Sequence, residues 1–449
     1  MKQSIVLQFL IFGFGLLLLL PNQGFTSTTL NAGGPPIIRI YIDQLTPLQI
    51  GLKIGRESKV LFPDIERRYD AHLATLLTPS LYAKLQRETL PKLLQRLKPA
   101  YQEELNGVAA AWSLTRINQL GDGLLSLSEY QLVNLLPDLG RLPDGTGFGV
   151  FDKTSADNTP IIGRNLDWGN SLELRGLQAI TVYQSHDKAV VNIGFAGIIS
   201  ILTGFNHHGL FLAYYKAEPY LPYQRAPHLS HDTDSSVFDL RNVLETRQSN
   251  QQAADYLSKQ SYLYSHSILM ADKKNIQVLE YDSGGIAKIR QWNSPTRANK
   301  QWHKRQQIAV IGCHILASLP NGCRDVKEGY HWARLRQLAV FNSANPANSY
   351  DIAGILLDKK NHLFEIFNAQ TLQSMVYQPT NGNLYLYTAT VDGTSIPVTH
   401  RAYFDIIPKE IRDQSVNKNK NLPLWLITAL LLVLSAIVYW VVWQDRSSD

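Results

Sequence analysis

Apolar side chains recur at three- and four-residue steps through residues 79–139, at Leu81, Leu85, Leu90, Leu93, Leu94 and Leu97, and Ala109, Ala110 and Ala111 favour helix. This stretch is expected to be helical. From Gly145 onward the pattern changes to short apolar or alternating runs separated by turn residues, which predicts strands at 148–151, 160–166, 177–183, 189–195 and 209–215. Helical periodicity returns at 236–258, strands at 267–281 and 307–316, a helix at 329–341, and strands again at 363–387. A helical leader followed by mixed strands and helices predicts an α+β fold with a layered sheet core.

The two ends read differently. Residues 5–20 are apolar apart from Gln8 and two glycines, follow a single charge at Lys2 and end at Pro21, as an export signal does. No small-residue cleavage site follows, so an uncleaved N-terminal anchor stays open. Residues 422–443 are free of charge and long enough, at about 1.5 Å per residue, to cross a hydrocarbon core of roughly 30 Å. Trp425, Tyr439, Trp440 and Trp443 sit near the ends of this run, where amphipathic rings favour the headgroup level. The expected organisation is a signal or anchor at 1–26, a mostly helical leader at 27–145, a core at 146–409, a linker at 410–421, a transmembrane helix at 422–443 and a tail at 444–449. Lys418 and Lys420 before the helix mildly oppose export of the body under the positive-inside rule. An N-terminal signal outweighs so small a bias, so an exported, membrane-tethered body is expected.

Composition narrows the chemistry. The chain has 449 residues, 45% hydrophobic and 18% charged, which is ample apolar material for a folded core. Its net charge of +6 is spread over 43 basic and 37 acidic residues, with no basic run interleaved with aromatics, so nucleic acid is not an expected partner. Cys313 and Cys323 are the two cysteines, too few for a disulfide scaffold or a four-cysteine metal site. Ten residues apart, they could pair across a loop in an exported protein. The motifs of a nucleophile elbow, a zincin and a phosphate-binding loop do not occur. His207-His208 and the segment from His231 to Asp234 have no matched partner cluster and read as loop residues, so no metal and no organic cofactor is expected.

One constellation carries specific chemistry. Gly163-Arg164-Asn165-Leu166-Asp167-Trp168 places three polar side chains at the end of a strand, preceded by Asp144-Gly145-Thr146-Gly147-Phe148. Taken as residues alone, Arg164 and Asp167 could equally form a surface ion pair. The stretch resembles the linear-amide branch of the N-terminal-nucleophile hydrolases, the group of penicillin acyl-CoA acyltransferase, acid ceramidase, acylethanolamine amidase and the choloylglycine (bile-salt) hydrolases. There, Cys-Thr-Ser leads a strand and a returning strand carries Gly-Arg-Asn-x-Asp. Glu104-Leu105-Asn106-Gly107 is similar to the group's Glu-Leu-x-Gly leader segment, Gly204 to Leu210 to its Gly-x-Asn-x-x-Gly-Leu turn, and Arg334-Leu335-Arg336 to its late arginine-bearing helix.

The resemblance implies a four-layer αββα body that cleaves or transfers an acyl group at a linear amide, its substrate a small or lipid-like N-acyl amide. In such enzymes the first residue of a newly cut chain supplies both the nucleophile and, through its α-amine, the base. By position, Arg164 would hold the nucleophile region and the substrate carbonyl, Asp167 would orient the free α-amine, and Asn206 would donate to the oxyanion. Asn165 and Arg334 would serve substrate binding or processing. Asn206 equally suits a turn before Gly209, and Arg334 a solvated helix. The nucleophilic cysteine, however, aligns with Gly145, and a second asparagine donor with the segment Gly312-Cys313-His314. Either the nucleophile is Thr146, released by cleavage after Gly145, or the fold persists without catalysis as a binding or structural protein, or it serves another role. A one-residue slip along a strand reverses side-chain direction, so Thr146 is expected to face away from Arg164 and Asp167 unless the register shifts.

Overall fold

The computed structural model describes residues 27–29, 34–112, 117–169, 171–217, 233–302, 304–319, 322, 326–360, 365–388 and 402–412. The expected signal at 1–26 and the charge-free run at 422–443 lie outside these residues. Among the described residues, no helix is long and apolar enough to cross a membrane.

The leader is helical but segmented. A strand, β2 (Ile37–Tyr41), precedes α1 (Pro47–Leu61) and α2 (Ile65–Leu76). Then come α3 (Pro79–Lys84), a π-turn at Leu85–Thr89, α4 (Leu90–Arg96), α5 (Pro99–Ala111) and α6 (Leu127–Leu135). The helical run expected over 79–139 is therefore interrupted, because Pro91 and Pro99 lack the N–H that would continue the hydrogen-bond ladder and are seated in first turns instead. Thr46 with Gln49, and Ser126 with Glu129, close capping boxes that start α1 and α6. α1 and α5 cross without side chains between them: a Cβ on Gly51 would lie 2.1 Å from the Glu104 carbonyl oxygen, and one on Gly107 2.3 Å from that of Leu48. Small residues at this crossing let two backbones touch.

Two sheets form the centre. The nine-stranded sheet runs β1 (Ser27–Thr29), β2, β5 (Gln178–Gln184), β6 (Ala189–Phe195), β7 (Thr203–Asn206), β8 (Phe211–Lys216), β9 (His266–Ala271), β10 (Ile276–Asp282) and β11 (Ile286–Arg290). The six-stranded sheet runs β12 (Gln307–Val310), β3 (Asp144–Val150), β4 (Ile161–Asp167), β13 (Thr371–Gln378), β14 (Asn383–Thr388) and β15 (Ala402–Asp405). Pairing is antiparallel except between β2 and β5. Short helices complete the order: α7 (Leu172–Arg175), α8 (Ser236–Thr246), α9 (Asn250–Leu257), α10 (Val326–Leu338) and α11 (Ser349–Leu356).

Alternation along the strands sorts the core into three layers of apolar contact. Ile180, Val182, Val191, Phe205, Phe211 and Leu269 of the larger sheet meet Ile162, Met375 and Tyr377 of the smaller between the sheets. The opposite face of the larger sheet packs on α1 to α6, α8 and α9, through residues such as Leu105, Tyr130, Phe238, Tyr214 and Met270. The outer face of the smaller sheet packs Phe148, Val150 and Val376 under Trp332 and Leu335 of α10 and Ile352 and Leu356 of α11.

The mixed α+β class thus matches expectation, with local corrections. The helix expected over 236–258 is two, parted where Ser249 caps α9. The 267–281 segment is the β9–β10 hairpin, the strands expected over 363–387 are the β13–β14 hairpin, and the strand expected over 307–316 stops at Val310. β7 and α11 were not anticipated.

Candidate active site

β3 and β4 lie side by side, with Thr146 opposite Asn165, Gly147 opposite Arg164 and Asp144 opposite Asp167. Directly opposed residues share a face. Thr146, Asn165 and Asp167 therefore point to the outer face of the smaller sheet, and Arg164 points between the sheets. The expected separation of Thr146 from Arg164 holds, whereas Asp167 is corrected to the face of Thr146, because three residues along a strand reverses the side.

Gly145 adopts a φ of +141°, and a Cβ there would stand 1.9 Å from the Asn165 carbonyl oxygen. Its N–H donates to Asp144 Oδ1 at 2.8 Å. Thr146 is fully buried, and its hydroxyl has no protein hydrogen-bond partner.

Arg164 is also fully buried. Its guanidinium donates to the carbonyl oxygens of Leu202 at 3.3 Å and Tyr214 at 2.8 Å and lies 5.1 Å from the Tyr215 ring centroid. Burial pulls its pKa down to about 10, opposed by Tyr215 and Asp167, so it stays charged at neutral pH. Arg164 thus ties the smaller sheet to β8 of the larger. Asn165 Nδ2 donates to the carbonyls of Leu356 and Ile366, anchoring β4 to α11. Asp167 accepts from Thr371 Oγ1 at 2.7 Å and Asn368 Nδ2 at 2.9 Å.

Lys216 is a residue that sequence reasoning missed. Its ammonium lies 2.7 Å from Asp144 Oδ2, and its backbone N–H donates to the Pro143 carbonyl. It offsets the repulsion of Asp144 and Asp167, opposed in the ladder, and fixes the chain just before Gly145. An isolated lysine at the end of an apolar strand carries no motif.

Three expected residues sit elsewhere. Asn206 Nδ2 donates to the carbonyls of Leu244 and Arg247 at the end of α8, and its Oδ1 accepts from the N–H groups of His208 and Leu210. Its amide is engaged on both sides and placed at the β7 end remote from Leu202, about 13 Å along the strand. The structure brings out the turn-forming reading of this residue. Arg334 makes a two-pronged contact with Asp358, both distances 2.7 Å, in the helical layer outside the smaller sheet. It braces the segment that Asn165 binds and does not face Arg164. Cys313 is disulfide-bonded and packed in that same layer, following β12; Cys323 lies outside the described residues.

Two cavities flank the segment leading to β3. The first has a volume of about 20 Å³ and is lined largely by apolar groups, among them Tyr69, Val133, Leu136, Trp168, Phe195 and Leu202. The Trp168 indole donates to the Arg141 carbonyl, which sets this wall beside the approach to Gly145. His72, also in the lining, is held neutral by burial, which pushes its pKa down to about 4.

The second, with no room even for a water molecule, is lined by Pro137, Asp138, Tyr214, Tyr262, Tyr264 and His266, among others. Burial raises Asp138 to about 6 and lowers His266 to about 4. His266, depressed from 6.5, contributes stability present above that value and lost as pH falls through about 4. Asp138, raised from 3.8, contributes stability present below that value and lost as pH rises through about 6. Between these limits the unfolded chain carries a proton on the imidazole and the folded chain carries one on the carboxyl, so the pair leaves stability flat. Removing one arm exposes the other. Relative to the parent, a His266→Phe chain is expected to lose up to about 1.4 kcal/mol of stability per pH unit as pH rises from about 4.5 to about 6. Urea unfolding across that interval measures it; parallel slopes for the two chains would mean that His266 is protonated in the fold.

Comparison with known proteins follows this geometry. The family model for acyl-coenzyme A:6-aminopenicillanic acid acyl-transferase matches residues 154–391, a span that includes Arg164, Asp167 and Asn206 but begins after Thr146. No curated protein sequence matches the chain. Among solved structures, an N-acylethanolamine-hydrolyzing acid amidase orthologue from Caenorhabditis elegans is 16% identical, with 52% of this chain and 92% of that one covered and a TM-score of 0.38. A mutant of the conjugated bile acid hydrolase from Clostridium perfringens is 14% identical over 58% and 92%, TM-score 0.36. Penicillin V acylase from Agrobacterium tumefaciens is 12% identical over 54% and 83%, TM-score 0.33.

Proposed function

Because the chain belongs to the acyl-coenzyme A:6-aminopenicillanic acid acyl-transferase family, we propose that it hydrolyses or transfers the acyl group of linear N-acyl amides, that the uncut chain is an inactive precursor, and that Thr146 becomes the nucleophile after cleavage at Gly145–Thr146. Family membership supports acyl transfer or amide hydrolysis as the class of reaction. The observation that carries the finer reading is the pairing of Gly145, whose backbone and surroundings exclude a side chain, with a buried threonine hydroxyl that no protein group engages.

Cleavage would begin with Thr146 Oγ1 attacking the Gly145 carbonyl carbon. The peptide C–N bond breaks as the ester forms, and the proton of the hydroxyl passes to the released α-amine. Water then hydrolyses the ester, leaving a Gly145 carboxylate and a free Thr146 amine. In the cut chain that amine, with a pKa near 8, takes the hydroxyl proton as Oγ1 attacks a substrate amide. The tetrahedral intermediate expels the substrate amine, protonated by the same group, and water or a second amine resolves the acyl-threonine ester. Thr146 has to turn from the outer face to the inner one, a freedom that a chain terminus has and a continuous strand lacks. Arg164, charged and already fixed between the sheets, supports the carbonyl side. The sandwich of two sheets between helices is the body that this family's chemistry uses in our reading, carried outside the cytosol and tethered by residues 422–443.

A second reading, a non-catalytic acyl-amide-binding protein, is favoured by the orientation of Thr146 away from Arg164. One preparation separates the two. Full-length chain, and the same chain carrying Thr146→Ala, are recovered from membranes after alkaline extraction and sequenced from the N-terminus. The expected result is retention in the membrane pellet for both, with a fragment beginning at residue 146 only where Thr146 is present. A folded, uncut parent would select the binding protein, and release of both chains by alkali would remove the tether.

A further inference from the structure

We propose that the Tyr215 hydroxyl is the hydrogen-bond donor to the oxyanion of the acyl-transfer step, the task that resemblance gave to Asn206. The inference rests on the acyl-amide reading above and deepens it by naming the group that meets the developing charge.

Tyr215 lies wholly buried between the two sheets, and its hydroxyl has no protein hydrogen-bond partner. The Arg164 guanidinium, 5.1 Å from the ring centroid, can only donate, so the phenol's hydrogen needs an acceptor elsewhere and the fold offers none. Arg164 Nε is left without a partner in the same way. Burial pushes the phenol's pKa up, against the pull of Arg164, so the hydroxyl keeps its proton and remains a donor. An unused buried hydroxyl lowers stability. A group that the resting fold does not use, beside a fixed positive charge, is suited to a negative charge that appears only during reaction.

Its position is beside the nucleophile. Phe148 and Val150 face outward, so the inner positions of β3 fall on Gly145, Gly147 and Gly149. A Cβ on Gly147 would stand 2.6 Å from the Tyr215 hydroxyl oxygen, which therefore lies against the backbone of the residue that follows Thr146. Gly147 is also opposite Arg164 in the β3–β4 ladder. Cleavage makes Gly145, the neighbouring inner position, a chain end able to withdraw and admit an acyl carbonyl. Thr146, once turned inward, brings the carbon it attacks to the side on which Tyr215 and Arg164 already stand. Asn206 is not available for this, since its amide is engaged on both sides at the far end of β7.

The step needs no proton from Tyr215. Thr146 Oγ1 attacks the amide carbon, its proton passes to the Thr146 α-amine, and the carbonyl π pair moves onto oxygen, where the Tyr215 O–H and the Arg164 charge meet it. The pair returns as the C–N bond breaks, and the amine leaves with the proton held by the α-amine.

The test compares the full-length parent with Tyr215→Phe, which keeps the buried ring beside Arg164 and removes only the hydroxyl, with N-octanoyl-4-nitroaniline as the linear amide. Both chains are expected to be cut to a fragment beginning at residue 146. In the variant kcat is expected to fall about 10²–10³-fold, KM to stay within about threefold, and the urea midpoint to hold or rise. That split separates a donor from a packing group, because loss of a structural contact lowers the midpoint. A kcat within about threefold of the parent's, a loss carried by KM, or a fall in kcat that comes with a lower midpoint would overturn the Tyr215 assignment and leave the acyl-amide reading standing. Failure of the variant alone to be cut would move the hydroxyl to the processing step and overturn the assignment too. A parent that is uncut, or cut and inert toward the amide, would overturn that reading and the assignment with it.

Discussion

Substituting Gly145 with alanine is expected to destabilise the chain by about 3–4 kcal/mol, among the larger effects a single methyl group can have. Two independent costs add. A φ of +141° is one that side-chain-bearing residues rarely adopt. The added Cβ would also stand 1.9 Å from the Asn165 carbonyl oxygen, which belongs to β4 and cannot retreat while Asn165 is anchored to Leu356 and Ile366. Gly169 separates the terms: its φ is +59°, and a Cβ there would meet nothing within 4 Å, so Gly169→Ala is expected to cost only about 1 kcal/mol. Denaturant midpoints of the two variants give the comparison, and equal losses would show that the backbone at 145 relaxes freely. For the same reason Gly145→Cys is expected to destabilise the chain at least as much as Gly145→Ala.

Glu104→Leu is expected to cost about 3 kcal/mol, because it removes the buried partner of a buried guanidinium and leaves it only the more exposed Glu245. Arg241 lies 2.7 Å from Glu104, with both side chains almost wholly out of water, and stacks over Tyr183 and Tyr101 at 4.3 and 4.8 Å. It also reaches the Ile199 carbonyl and the more exposed Glu245. The pair therefore links α5 of the leader to α8 and to the larger sheet. Arg241→Leu should cost a similar amount, and the double substitution less than the sum of the two, because no buried charge is then left without its buried partner, Glu245 being partly in water. Strict additivity in equilibrium unfolding would mean that the two side chains do not act as a pair.

Glu104 and Gly107 were legible as a motif in the leader, although the resemblance said nothing of what they do. The structure supplies two physical reasons, an ion pair and a helix crossing. That crossing also explains why α1 left no trace in the hydrophobic pattern: its buried positions include Gly51, Gly55 and Ser58 where a periodic stripe would show leucines. β5, β6 and β8 were readable because they are apolar on both faces, which a strand between two packed layers requires. β7 escaped because four residues that include a threonine, a glycine and an asparagine give no alternation to count.

The site was read less completely than the fold. Arg164, Asn165 and Asp167 do meet at one strand end, yet period-two geometry divides them between two faces. Asn206 carried the motif of a turn and serves one. Lys216 and His266 were invisible, since one charge and one ring acquire meaning only when β8 and β9 are paired. The pattern of the chain reports which side of a strand is dry, and not which lone polar group the fold will leave without a partner.

The parallel pairing of β2 with β5 has a consequence for any chain cut after Gly145. β2 belongs to the N-terminal piece, yet it is an interior strand of the larger sheet, and Leu105, Tyr130 and Leu135 of that piece share one core with Tyr214 and Met270 of the other. The nick would therefore free no fragment. It would change the molecularity of folding, from one body to two that must find each other, so the thermal midpoint of cut protein should rise with concentration while that of the uncut chain stays constant. Once separated in denaturant, the halves would reassemble at a rate set by dilution, and the body would depend for its solubility on a partner encoded upstream in its own chain.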